Sequence, residues 1–435
     1  MPSPKITRIG DHLCFRGEMT VRYTFMSGKP FATANNRHRL RAVLRGALCA
    51  AAAACAWPGH GPAWRAGLVP SLSPFNALLA TAAGTGGLFL LGALAIAIVC
   101  AFRPRAFCRW ICPAGTCQDA IACRVKRRRA WASRVPQIGP WLVLLGTGAA
   151  LTKYPLFGWL DPLVLFNASF GIARGYPEPN DWLAAAGFPL LLIAALVAPG
   201  LWCGKVCPLG AFQDLFRFPF RPKVVTAPPA RKEISAVGRR VFLGLGLGAS
   251  YRLALPPGHA APSTAVRPPA SKGGPHFTRL CSRCGACVRT CPNGIIRFGG
   301  ADAGWGAVLA PQLSFDNDFC TPTCTLCGQA CPSGAIPRFT VKTKFDSPIG
   351  LAKVDESICL LGQNRECGTC VSACPYDALD LTWDPVNMVS RVIVNAKRCT
   401  GCGGCEYVCP AALKAIRIFA PGDRLFPEQQ HRGAT

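Results

Sequence analysis

Residues 281–292 read CSRCGACVRTCP, and the chain repeats that pattern three more times before residue 411. The first copy supplies Cys281, Cys284, Cys287 and Cys291. The second, CTPTCTLCGQACP, opens the first gap by one residue and supplies Cys320, Cys324, Cys327 and Cys331. The third stretches that gap to seven residues, giving Cys359, Cys367, Cys370 and Cys374, and the fourth, CTGCGGCEYVCP, returns to the tight form with Cys399, Cys402, Cys405 and Cys409. Sixteen thiols in four sets fit four [4Fe–4S] clusters. Three closely spaced cysteines wrap one cluster while the fourth, ahead of proline, reaches a neighbouring one, so the clusters come in pairs. Proline is preset for a first helical turn, so CPNGII, CPSGAI, CPYDAL and CPAALKAI are expected to open short helices whose positive ends face the anionic clusters. Gly285, Gly328, Gly401 and Gly403 let the backbone close round them. Structural zinc usually joins two separated CxxC knuckles, and secreted disulfide frameworks seldom repeat this spacing, so iron–sulfur is the reading.

Half of the 435 residues are hydrophobic and 16% are charged, with a positive mean hydropathy, which implies a membrane portion. A formal charge of +27 would suit nucleic acid if it lay on one folded face. Its location says otherwise: residues 1–271 hold 31 Lys and Arg against 8 acids, whereas residues 272–435 hold 17 against 13. The excess falls between apolar stretches, as in loops on the cytoplasmic side of a lipid bilayer, and no nucleic-acid partner is expected.

Residues 1–41 form a basic tail without the apolar stretch of a secretory signal. Apolar spans follow at 42–57, 83–102, 137–153 and 182–201, and a shorter fifth at 241–255 acts as an anchor. VPSLSPF lies in the loop after the first span, and WLDPLVLFNASF in the loop after the third. With the amino terminus inside, segments 1–45, 103–134 and 203–240 hold 26 Lys and Arg, while the outer loops 58–82 and 154–181 hold only Arg65 and Arg174. An odd number of crossings places the four cysteine runs on the periplasmic side of a multi-pass protein of the bacterial inner membrane. The expected domains are the cytoplasmic tail 1–41, a membrane domain 42–220, a basic segment with anchor and Pro-rich linker 221–274, the cluster domain 275–420 and a loose tail 421–435. GRRVFLGLGLGAS, with Arg239 and Arg240 ahead of its apolar run, looks like a twin-arginine export signal, a route suited to a domain already folded round its clusters. The alternative is a basic stop beside an ordinary anchor; no clean cleavage site follows, so an uncleaved anchor is expected.

CRWICPAGTCQD at 108–119 and CGKVCPLGAFQD at 203–214 are one element used twice. Cys108, Cys112, Cys203 and Cys207 either close one iron–sulfur or metal site, recruit other ligands pair by pair, or stay as reduced or redox-active thiols. Each second cysteine precedes a proline able to open a helix, and Arg109 and Lys205 sit inside the gaps to offset thiolate charge. Cys117 and Cys123 have no counterparts in the second copy. Cys14, Cys49, Cys55 and Cys100 have no partners by spacing, and the last three read as small buried hydrophobes.

On these residues the chain resembles a fusion of two bacterial ferredoxin-type proteins. Residues 40–220, with VPSLSPF, CRWICP, WLDP and WCGKVCPLGAF, are similar to the membrane protein of periplasmic nitrate reduction of the NapH kind and its methylamine-utilisation relative of the MauN kind. Residues 235–420, with GRRVFLG and the cysteine runs, resemble their exported four-cluster partners, NapG and MauM. The resemblance implies an α-helical transmembrane bundle of about four spans plus a fifth anchor, followed by an α+β ferredoxin-like domain. It implies quinol as electron donor, drawn from the membrane quinone pool, and a periplasmic redox enzyme or cytochrome as acceptor, which makes the chain a component of a quinol dehydrogenase. Asp161, in WLDP, is the acid nominated to take a proton from the quinol headgroup, with a helix cap as its other reading. Nesting of the cysteine runs, first with fourth and second with third, is also implied. One departure is plain: NapH-like proteins carry two ferredoxin runs after their last span, where this chain has the export-like segment. A donor for maturing or reactivating a periplasmic enzyme's cofactor, and a membrane redox sensor, are the rival functions.

Overall fold

The computed structural model describes residues 31–59, 61–82, 89–103, 105–122, 125, 130–152, 155–173, 177–216, 241–250, 265–271, 274–300, 307–385 and 388–420. The twin-arginine pair, the linker before 265, the tails 1–30 and 421–435, Cys14 and Cys123 lie outside these residues. The amino-terminal half is helical: α1 (Phe31–Ala56), α2 (Trp64–Ser71), α3 (Pro74–Ala82), α4 (Phe89–Phe102), α5 (Ala106–Trp110), α6 (Pro113–Ala122), α7 (Ala130–Arg134), α8 (Gly139–Leu151), α9 (Pro162–Ala168), α10 (Pro179–Val197) and α11 (Pro208–Phe216). α12 (Val241–Ser250) follows. The carboxyl-terminal half mixes short helices, α13 (Gly274–Leu280), α14 (Ala286–Thr290), α15 (Leu326–Ala330), α16 (Val341–Asp346), α17 (Thr369–Ser372) and α18 (Gly404–Val408), with six strands. These pair antiparallel as β1 (Ile296–Phe298) with β2 (Pro311–Leu313), β3 (Leu351–Val354) with β6 (Ile416–Phe419), and β4 (Leu379–Asp384) with β5 (Val389–Val394). Their registers set Ile296 on Leu313, Leu351 on Phe419 and Leu379 on Val394.

Among the described residues α10, at 19 residues, is the helix long and apolar enough to cross a membrane; Leu90–Phe102, Gly139–Leu151, Pro162–Ala173 and Val241–Ser250 are shorter apolar helices. Large apolar side chains stay exposed along α4 (Leu91, Leu94, Ile98), α10 (Leu190, Ile193, Leu196) and α12 (Phe242, Leu243, Leu247). Contiguous exposed apolar rows of this kind mark surfaces that meet an apolar partner or phase. α12 lies against α8 with almost no space: a Cβ on Gly248 would sit 2.3 Å from the Leu145 carbonyl, one on Gly148 2.2 Å from the Leu245 carbonyl. Gly148, Gly244 and Gly248 thus lie on the contact face of the α8–α12 pair, as small residues do in close helix packing.

Several local expectations need correction. α1 begins at Phe31 inside the segment read as a tail, because no glycine or proline interrupts 31–41. VPSLSPF is not an open loop: Pro70 sits in the last turn of α2, and α3 starts after two residues. WLDPLVLFNASF contains α9, whose amino end is capped by the Asp161 carboxylate with Pro162 at the first position. The Cys-Pro helix openings fail in the cluster half. There the short helices α14, α15 and α18 end at the fourth cysteine, Cys291, Cys331 and Cys409. Gly285 and Gly403, at φ 70° and 85°, start α14 and α18, so the proline follows a helix end, which it cannot continue. In the amino-terminal half the same reading holds, with Pro113 and Pro208 opening α6 and α11.

The two halves meet on α2, α9 and the start of α10, all in or beside the segments read as outer loops. Ala63 and Val164 share a buried apolar cluster with Cys284, Ala286 and Ala330. A Cβ on Gly67 would lie 2.2 Å from the Ala330 carbonyl. The buried Arg289 guanidinium donates to the Asn167 carbonyl and, at 3.0 Å, to that of Ala66. Arg297 pairs with Glu178 at 3.6 Å and Asp181 at 3.7 Å at the head of α10.

Candidate iron–sulfur and thiol sites

In the carboxyl-terminal half the sixteen cysteines gather into four sets. Electrostatic neighbours join Cys281, Cys284 and Cys287 to Cys331 (site I), and Cys320, Cys324 and Cys327 to Cys291 (site II). Cys399, Cys402 and Cys405 face Cys374 round one cavity (site III), and Cys359, Cys367 and Cys370 face Cys409 round another (site IV). Each run lends its fourth cysteine to the adjacent run, first with second and third with fourth. The nested pairing is thus overturned: residues 281–331 close their own pair of sites within one lobe, and 359–409 close the other.

The donor set suits cubane clusters. Burial pushes the Cys281 thiol up to about 12 and the Cys370 and Cys402 thiols up to about 11. These groups become thiolates only with compensating positive charge, which iron supplies. Backbone N–H groups of Arg283, Ile336 and Ala378 donate to the sulfurs of Cys281, Cys331 and Cys374 at 3.4 Å each. Such bonds help set a cluster's potential. Apolar Val354, Leu361, Val392 and Ile416 wall site IV, and Ala352, Leu379 and Ile418 wall site III. Among the described residues no three His, Cys, Asp or Glu side chains close up as a single ion requires, whereas a cubane spreads its ligands over a larger body.

The four sites follow one another by contact. Site I touches the helical half, since the Asn167 amide donates to the Cys284 carbonyl at 2.9 Å. Sites I and II exchange their fourth cysteines. Sites II and III meet where the Cys320 N–H donates to the Cys402 carbonyl at 2.8 Å. Site IV lies last; Cys359, Cys367 and Cys370 are only partly buried while its fourth cysteine, Cys409, is buried, and Leu381 and Trp383 of β4 are exposed. Buried Lys344, which no motif announced, donates its Nζ to the Thr321 carbonyl at 2.5 Å and the Cys324 carbonyl at 3.0 Å, and also faces the Cys320 thiol.

The two CxxxCP copies also converge. Cys112 and Cys207 are buried in one apolar cluster with Leu163, Phe166 and Phe188, not set in an open loop. Each accepts a 3.4 Å hydrogen bond on sulfur from the amide three residues on, Gly115 or Gly210, at the head of α6 or α11. The glutamines ten residues after each first cysteine cross over: Gln213 donates to the Cys108 sulfur at 3.0 Å, and the Cys203 thiol donates to Gln118 at 3.0 Å. The next residues, Asp119 and Asp214, pair with Arg45 and Arg105. These partners were visible as the shared Gln-Asp ending of both copies. Lys205 donates to the Val135 carbonyl, and Arg105 lies within electrostatic reach of Cys108 and Cys203. Cys49 and Cys117 lie 4.0 Å apart, a meeting that spacing concealed. Asp161 is fully buried, accepting from Leu163 N–H at 2.8 Å and from the Ser73 hydroxyl.

A family described as 4Fe-4S dicluster domain matches residues 280–335, which hold the first two runs, and 365–413, which hold the other two apart from Cys359. One described as 4Fe-4S binding domain matches 85–131 and 180–226, round each CxxxCP element. The methylamine utilization ferredoxin-type protein MauM of Paracoccus denitrificans is 30% identical over 212 residues, 46% of this chain and 89% of that protein. The ferredoxin-type protein NapF of Escherichia coli is 32% identical over 36% of this chain and 88% of its own length, and NapG of the same species 29% over 43% and 83%. No solved structure matches.

Proposed function

Since the chain belongs to the ferredoxin-type iron–sulfur proteins represented by MauM and NapF, we propose that it is a membrane-anchored electron conduit from the quinol pool to a periplasmic redox partner. One observation carries this reading: the cluster sites follow one another by contact from the helical half to a partly exposed end. The helical half acts as a NapH/MauN-like membrane module fused to the cluster domain. Sites I to IV each hold one [4Fe–4S] cluster, with sixteen ligands in all. The cluster half docks on segments 58–82 and 154–181, whose shortage of Lys and Arg suits a periplasmic face. Tight packing of α12 on α8 supports an uncleaved anchor. Asp161 is the buried carboxylate nominated to take a quinol proton; an Asp161→Asn variant that oxidises quinol at the parent rate removes it from that role.

The test is stopped-flow mixing of anaerobically purified full-length protein with duroquinol, followed by cluster bleaching. Bleaching of all four ferredoxin clusters supports the conduit, and none over the lifetime of the sample opposes it. The relatives used in methylamine utilization favour a second reading, in which the same electrons serve the maturation of a periplasmic enzyme.

A further inference from the structure

We infer that Cys108, Cys112, Cys203 and Cys207 together hold one shared iron–sulfur cluster, positioned by Gln118 and Gln213, that feeds electrons to site I across α9. The electron-donor part rests on the quinol reading above; the ligand assignment does not.

Three observations converge. Each copy contributes two thiols, and the four face one another electrostatically: Cys112 feels Cys108 and Cys207, Cys203 feels Cys112 and Cys108. Half-sites from two repeats thus close a single four-ligand set. Next, the helix heads of α6 and α11 both point amides at sulfur, the arrangement that favours thiolate over thiol. Finally, Gln118 is 4% exposed, and its Nε2 has no partner among the described residues while its Oε1 accepts from Cys203. Once Cys203 loses its proton to bind iron, the amide turns over and donates to the sulfur, as Gln213 already donates to Cys108. The crossed glutamines make the two copies equivalent round one centre.

α9 links this centre to site I. Asp161, at its head, lies within electrostatic reach of Cys112 and Cys207, and Asn167, near its end, donates to the Cys284 carbonyl. A helix of 7 residues spans about 10 Å, so both centres lie against one short element. In each turnover a quinol becomes quinone, releasing two protons to water and two electrons. The electrons pass singly, reducing the shared cluster, which is reoxidised as it reduces the cluster of site I.

The experiment is iron and acid-labile sulfide analysis of the anaerobic full-length protein, with EPR after dithionite. The parent is expected to hold about twenty iron atoms per chain, and a Cys108→Ser/Cys203→Ser variant about sixteen with one EPR signal missing. A Gln118→Leu/Gln213→Leu variant keeps its iron, and that same signal alone shifts in shape and midpoint. About sixteen irons in the parent overturns the site, and about twenty-four overturns sharing. Unchanged iron and EPR in the cysteine variant, or an unmoved signal in the glutamine variant, overturns the ligand or the positioning role. A parent with about twenty irons that duroquinol leaves oxidised keeps the site and removes the quinol reading, so the two failures are separable.

Discussion

Lys344 sets a charge beside site II that the cysteine pattern does not reveal. A buried ammonium favours the reduced cluster, which carries one more electron, and so raises its potential. Lys344→Met is expected to move the midpoint of one cluster to more negative values in an EPR-monitored redox titration, with the other signals unmoved. Asp161 offers a test by pH. Burial pushes its carboxyl from the ordinary 3.8 up to about 6, so between these values the folded chain holds a proton the unfolded chain has released. Stability falls as pH rises through that window, and the whole penalty persists above it. Asparagine caps a helix as well as aspartate, so Asp161→Asn should match the parent near pH 4 and melt at a higher temperature above pH 6. At this scale the four cysteine sets that the fold gathers were legible as runs, because close spacing keeps three members of each set in one loop. Lys344, Arg289 and Asn167 were not, since each acts on a backbone carbonyl brought near only by the fold.

Among the elements, the two glycine contacts make opposite demands on experiment. Gly248→Leu drives a side chain into the Leu145 carbonyl and should separate α12 from α8, seen as a large fall in thermal midpoint or as loss of the protein from membranes. Gly67→Val strikes the Ala330 carbonyl between the halves; iron content should stay at the parent value while duroquinol-driven bleaching slows severalfold or more. The helices α4, α8, α10 and α12 fall on stretches marked by hydropathy, but α2, α3, α9 and the short helices of the cluster half do not. Proline after cysteine is equally at home opening a helix or following one, and glycines at positive φ decided for the latter at Gly285 and Gly403.

For the whole molecule, pairing follows the chain but position does not: run one pairs with two and three with four, yet the fourth run, not the third, lies against the first lobe through the Cys320–Cys402 backbone contact. The nested alternative needed contacts between residues more than a hundred apart, which local closure makes unnecessary. The charge pattern separated the two halves, and the segments it marked as outer loops, 58–82 and 154–181, are those on which the cluster half docks. What charge could not reveal was depth, because the CxxxCP elements fold back into the apolar cluster instead of staying in a basic loop. The most direct measurement is duroquinol reduction of an anaerobic Cys281→Ala variant, its remaining clusters verified by iron analysis and dithionite bleaching. If electrons must pass site I, dithionite reduces sites II to IV and duroquinol does not; bleaching of those sites by duroquinol at the parent rate contradicts the conduit.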